Sequence, residues 1–315
     1  MLTVLVVVIG LTGALIFGAA DFLGGLAAKR ISSIRVTAIA AVAGLLALLI
    51  GLPFVGGTWS AEALLYGGLS GVTGAGAIVL LYACLAIGPM SILSPTTAVV
   101  SAIVPMTAGL VRGERLEPLG YVALGLALVA VVLVGFVPER NAVRPSLKAL
   151  SMAIGSGVLI GVFMILIDLT PDDSGLVPLI ANRSVNAAIM VATIAVLALV
   201  AAGRRGAATG NPGSERIATP DETEPATMVA TPHATRPWLA GLKLAILCGA
   251  LDAVANSLML LGLRLGELTI MSVLTAMYSA GTIVLAAVVL KERLTASQVF
   301  GLVLALTSAA MLAVA

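Results

Sequence analysis

This sequence predicts an all-α integral membrane fold of ten transmembrane helices, arranged as two inverted five-helix repeats, and three observations carry that expectation. Of 315 residues, 60% are hydrophobic and 10% charged, with a mean hydropathy of +1.16, far outside the range of soluble domains. Apolar stretches of about 20 residues, the length that crosses ~30 Å of hydrocarbon in a helix, follow one another with short polar breaks between them. The third observation is an internal duplication, developed below.

Apolar runs bounded by Gly, Pro and charged residues define the helices in order. The first, 2–28, ends at Lys29-Arg30; lacking a basic leading segment, it reads as a retained span rather than a cleaved signal. The second, 36–55, follows Arg35 and stops at Gly56-Gly57, and the third, 63–87, stops at Gly88-Pro89. The fourth, 90–111, carries Pro95 and Pro105, candidate kink positions, and ends at Arg112-Gly113. The fifth and sixth are 118–137 and 147–169, separated by a charged, Pro-containing break. The seventh, 176–202, precedes a polar segment from Gly203 to Pro237 that reads as a disordered loop and holds the chain's one histidine, His233, which takes no role. The eighth to tenth are 239–263, 268–290 and 296–315. Backbone groups have no partner in lipid, so spans of this length are helices and not barrel strands.

Laying Gly88–Val137 over Gly266–Ala315 without a gap matches 16 of 50 positions, among them Thr97/Thr275, Ala98/Ala276 and the triplets Glu114-Arg115-Leu116 and Glu292-Arg293-Leu294. Arg35 and Arg183, each early in the second helix of its half, extend the correspondence at a different spacing. The repeats are expected over 1–137 and 138–315, the second interrupted by the 203–237 loop. An odd number of spans per half forces the second copy to enter the bilayer from the opposite side, a plan common in transporters.

Charge and composition exclude several classes. A net charge of +2, with basic residues at the ends of apolar runs, does not suit nucleic acid. Cys84 and Cys248 sit in apolar runs without metal-ligand companions and read as packing residues, so neither a metal nor a cofactor is expected. No Ser/His or His/Cys/Asp arrangement occurs in the spans, which argues against an enzyme. Gly71–Gly76 lacks the Lys-Ser/Thr of a phosphate loop, which disfavours an ATP-driven pump. Most of the 17 Lys and Arg lie in the connections after helices one, five, seven and nine, placing those on the cytoplasmic side and both termini outside.

Charge inside a span costs about 2.5–3.5 kcal/mol at the helix centre on insertion scales, so each such residue calls for a reason. The candidate substrate- or proton-binding residues are Asp21, Asp252, Asn256, Arg183 and Tyr278. Asp252 and Asn256, four apart, share a helix face. Either aspartate could bind a cation or a proton, or make a structural pair with Arg183. Arg183, beside Asn182 and Asn186, could instead snorkel or hold an anion. Tyr82 and Tyr278 could stack on a ligand. Glu114 and Glu292, by inversion on opposite membrane faces, read as helix caps rather than an acid/base pair. Gly67-x-x-x-Gly71 and Gly157-x-x-x-Gly161 read as close helix contacts.

The Arg-Gly-Glu-Arg-Leu of 112–116, Lys-Glu-Arg-Leu of 291–294, Asp-Phe-Leu-Gly-Gly-Leu-Ala of 21–27, Leu-Asp-Ala-Val-Ala-Asn of 251–256, and Gln298 with Gly301 carry a family resemblance. On these the chain resembles the drug/metabolite transporter superfamily, in particular its bacterial EamA-like ten-helix members. Tyr278-Ser279 departs from the Tyr-Pro expected there, and Ala123 from an expected Gly. The resemblance implies a secondary transporter in a bacterial plasma membrane that moves a small metabolite or drug-like solute, often outward, by alternating access. Its expected partners are the lipid bilayer, a small-molecule substrate, a proton as coupling ion and a second copy in a homodimer. The rivals are a flippase for a lipid-linked sugar and a non-transporting receptor or assembly subunit.

Overall fold

The computed structural model describes residues 2–87, 90–135, 145–209, 237–291 and 294–315. They form α1 (Leu2–Ala28), α2 (Ser33–Val55), α3 (Ala61–Ile87), α4 (Met90–Val111), α5 (Pro118–Gly135), α6 (Leu147–Asp168), a 3-10 turn (Asp172–Ser174), α7 (Val177–Thr209), α8 (Pro237–Leu265), α9 (Leu268–Ala276), α10 (Tyr278–Val289) and α11 (Ala296–Val314). Nine segments among the described residues are long and apolar enough to cross a membrane, with Leu268–Val289 counted once. The 33-residue α7 is a further long helix outside those nine.

Two elements differ from the sequence-based expectation. α7 continues to Thr209, so the first residues of the expected 203–237 loop are helical; Arg204 and Arg205 suit a helix C-terminus, where cations complement the dipole, and the following alanines favour helix. Residues 210–236, His233 among them, lie outside the described residues. The expected ninth helix divides at Met277, whose ψ of 1° interrupts the ladder between α9 and α10. α4, by contrast, runs through Pro95 and Pro105 as one helix.

Each helix packs mainly on helices of the other half. α1 lies on α8, α9 and α10, as α6 lies on α3 and α4; α2 lies on α8 as α7 lies on α3; α5 pairs with α11. Exchanging the halves maps this pattern onto itself. Close contacts give the directions. Gly13 meets Ala255 and Gly24 meets Cys248, so α1 and α8 are antiparallel, whereas Gly10 meets Leu274 and Gly18 meets Thr282, so α1 runs parallel to α9 and α10. In the other half Ser156 Oγ donates to the Ala77 carbonyl (2.8 Å) and Thr97 Oγ1 to the Ala153 carbonyl (3.1 Å). α6 is correspondingly antiparallel to α3, with Gly155 against Leu80 and Gly76 against Leu159, and parallel to α4. The two halves are therefore inverted copies.

Lipid is as apolar as the helices, so association rests on close packing and interhelical hydrogen bonds. A Cβ at Gly71 would lie 2.6 Å from the Asn182 carbonyl of α7, and one at Gly157 2.7 Å from the Thr97 carbonyl of α4. Gly67 and Gly161 make equally tight approaches to Pro178 and Val104, as the spacing of the two glycine pairs predicts.

Candidate functional site

Residues seven apart on a helix share nearly one face. On α1, Val7 (4% exposed) and Ala14 (3%) lie buried on such a stripe. The next two positions, Asp21 and Ala28, are exposed. Asp21 also lies within electrostatic reach of Cys248 on α8 and Tyr278 on α10. Gly25, one turn on, has nothing within 4 Å of where a Cβ would be. The inner face of α1 thus turns from buried, at Val7 and Ala14, to exposed, at Asp21, Gly25 and Ala28.

The other charges of mid-span are paired. Arg183 Nη2 of α7 contacts Asp252 Oδ2 of α8 in an ion pair whose side chains are 17% and 27% exposed. Asn256, buried one turn along α8, donates from Nδ2 to the Asp252 carbonyl (2.8 Å) and to Asp252 Oδ2 (3.3 Å). Of the expected alternatives for Arg183, neither snorkelling nor a free cation fits this geometry; it points inward and is neutralised. Arg35, offered by sequence as its counterpart, is instead exposed in the first turns of α2. Asn182 Nδ2 binds Ser70 Oγ (2.8 Å), fixing α7 to α3. Cys248, read from sequence as packing, lies within reach of both Asp21 and Arg183. Its signal was available: Cys248, Asp252 and Asn256 are successive fours on one face of α8.

Tyr278 opens α10 at the break. There α1 and α10 come into backbone contact, with the Gly18 Cα position close to the Tyr278 carbonyl and the Thr282 amide. Thr282 Oγ1 donates to the Gly18 carbonyl at 3.3 Å. A serine stands at 279 where the family pattern has proline, yet the helix still divides here. Ser279 Oγ is buried without a hydrogen-bond partner. The side chain of Tyr82 lies outside the described residues.

At the opposite end of the bundle, ion pairs and hydrogen bonds link the helices, some across the halves and some within the second. Arg112, after α4, pairs with Asp168 of α6 at 2.6 Å. Arg264 of α8 donates to the Thr170 carbonyl and hydroxyl (2.5 Å each), to Ser174 Oγ (3.3 Å) and to Asp172 Oδ1 (3.2 Å). Thr58 Oγ1 donates to Asp173 Oδ2 (2.7 Å). Glu114 accepts from the backbone amides of Leu268 (3.0 Å) and Thr269 (2.9 Å), capping α9 across the repeat boundary as a carboxylate suits a helix N-terminus. Glu292 lies outside the described residues. Beside this cap a cavity of about 450 Å³ is lined by Arg115, Glu117 and Glu267. One Glu267 oxygen is buried without a hydrogen-bond partner. Burial first, then the Glu114 charge, raises the Glu267 pKa above the usual carboxylate range. Sequence analysis passed over Arg112, Asp168 and Arg264 because they sit at span ends, where charge needs no explanation.

The model of the EamA-like transporter family matches residues 4–136 and 226–314, well over half of the chain. The chain belongs to the EamA-like transporter family. This EamA-like protein is thus a multi-span membrane protein of a family of small-solute transporters. A solved structure, described only as the crystal structure of a protein, is similar to it with 15% identity and a TM-score of 0.64 over 97% of this chain and 94% of that one. At that identity the likeness shows the fold alone. No curated protein matches this EamA-like chain.

Proposed function

We propose that this protein is a secondary carrier that exports a small organic solute across a bacterial plasma membrane by alternating access, with repeats over 1–137 and 138–315. Its solute site comprises Asp21, Arg183, Asp252, Asn256 and Tyr278. One observation carries this reading: α1 is exposed from Asp21 to its Lys29-Arg30 end, while at the other end ion pairs and hydrogen bonds link α4, α6 and α8 beside the cavity of about 450 Å³. A bundle exposed at one end and clamped at the other suits one half of an alternating cycle. The exposed end is the one bearing most of the basic residues, which the positive-inside rule assigns to the cytoplasm, so the solute loads from inside.

The packing also suggests which bodies move. Because helices pair across the halves, the rocking units would be α1, α2, α8 and α10 on one side and α3, α4, α6 and α7 on the other, rather than one repeat against the other. The test is counterflow in proteoliposomes, with solutes chosen by their stabilisation of the purified protein; a ligand at 100 times its Kd stabilises by about 2.7 kcal/mol. Saturable counterflow abolished by Asp21→Asn supports the reading. Stabilising ligands that show no counterflow would refute it.

A further inference from the structure

Resting on the carrier reading, we infer that the solute is a monovalent organic cation, an amine or quaternary ammonium, whose charged group sits on the Asp21 carboxylate. Charge counting at the site carries the argument. Three charged side chains, Asp21, Arg183 and Asp252, lie inside the spans; Asp21 and Arg183 are both within electrostatic reach of Cys248, and Asp252 contacts Arg183. Arg183 and Asp252 neutralise one another, and Asn256 fills a further acceptor position of Asp252. Asp21 has neither an ion pair nor a hydrogen bond among the described residues, and it is exposed. Among these three, one negative charge is therefore left uncompensated.

A carboxylate in a membrane interior is tolerated where it is wet or paired. A cationic solute supplies the missing pairing and gains most from it, because a site walled by apolar helices screens charge weakly. An anionic solute meets the opposite inside the spans: the Arg183 guanidinium is committed to Asp252 and largely buried, and Lys29 and Arg30 lie two turns away, past the end of α1. A zwitterion would gain at Asp21 but would have to break the Arg183–Asp252 pair to place its carboxylate. The expected order is therefore cation over zwitterion over neutral and anionic analogues.

The test uses the full-length purified protein and an isosteric series: 2-phenylethylamine, phenyltrimethylammonium, phenylalanine, 2-phenylethanol and 3-phenylpropionate. Binding is read by thermal shift and by competition. The amine and the quaternary ion should bind at least tenfold more tightly than the alcohol and the acid. Asp21→Asn should remove that preference, and Asp21→Glu should retain it. The quaternary ion has no N–H, so its binding separates charge recognition from hydrogen bonding. Should Asp21→Asn fail to fold, the order of affinities in the wild-type protein decides alone. Tighter binding of the acid or the alcohol, or a cation preference that survives in Asp21→Asn, overturns this inference and leaves the carrier reading standing. No saturable binding or counterflow by any solute class would overturn the carrier reading itself, and this inference with it.

Discussion

Replacing Asp252 by Asn isolates what the Arg183–Asp252 pair contributes, since the shape is kept and one charge is removed. Arg183 would then be left as an uncompensated guanidinium in the bundle. Breaking a buried pair costs about 3–5 kcal/mol, whereas exposed pairs contribute about 0–1 kcal/mol. With side chains 17% and 27% exposed, this pair falls between the limits, and the expected destabilisation is about 2–3 kcal/mol. The assay is a double-mutant cycle on Asp252→Asn, Arg183→Gln and the double variant, read by unfolding in detergent. The double variant should be more stable than the sum of the single losses by about 1–2 kcal/mol, because it buries no unpaired charge. Additivity within about 0.5 kcal/mol would refute the reasoning. The variant is expected to reduce the yield of folded protein as well as any flux, because the carboxylate it removes is the partner of Arg183.

Further consequences follow from the packing and the clamped end. Gly249→Ala would set a methyl group 2.8 Å from the carbonyl carbon of Ala40 in α2, backbone that cannot step aside, so it should lower thermal stability markedly; Gly25→Ala, with nothing within 4 Å, should melt as the wild type does. Glu114→Ala should cost about 1–2 kcal/mol in the same melt, through two lost bonds to the α9 N-terminus, and Glu114→Gln less. The raised Glu267 pKa means that the folded state holds a proton the unfolded chain has already released, so this group's contribution is full below about pH 4.5 and falls as pH rises through the folded pKa. Glu267→Gln should accordingly raise the melting temperature at pH 7, with the difference shrinking on acidification; an unchanged difference across that range would exclude the linkage.

How far sequence reasoning reached differs between fold and site. The spans were legible because each is a local property, an apolar run of membrane length, and the inversion followed from counting them. Glycine pairs such as Gly67/Gly71 announced close helix contacts through spacing alone. The break at Met277 was not legible, because Ser279 replaces the proline that would have marked it. The division there coincides with the backbone approach of Gly18, 260 residues away in the chain. Likewise the Glu114 triplet revealed a cap by its repetition, but not which helix it caps.

For the site, the sequence by itself determined which side chains needed explaining: Asp21, Arg183, Asp252, Asn256 and Tyr278 stand out because a polar group in a span is costly wherever the helix is placed. Only the tertiary structure decided their relations. It paired Arg183 with Asp252, set Asn256 on that carboxylate, and left Asp21 exposed and without a partner among the described residues. It also clamped the far end with residues the sequence had no reason to single out. The physical reason is that hydrophobicity and helix periodicity act within a few turns of chain. Which charge meets which depends instead on the crossing and register of helices far apart in sequence, fixed here by glycine contacts that no local pattern orders.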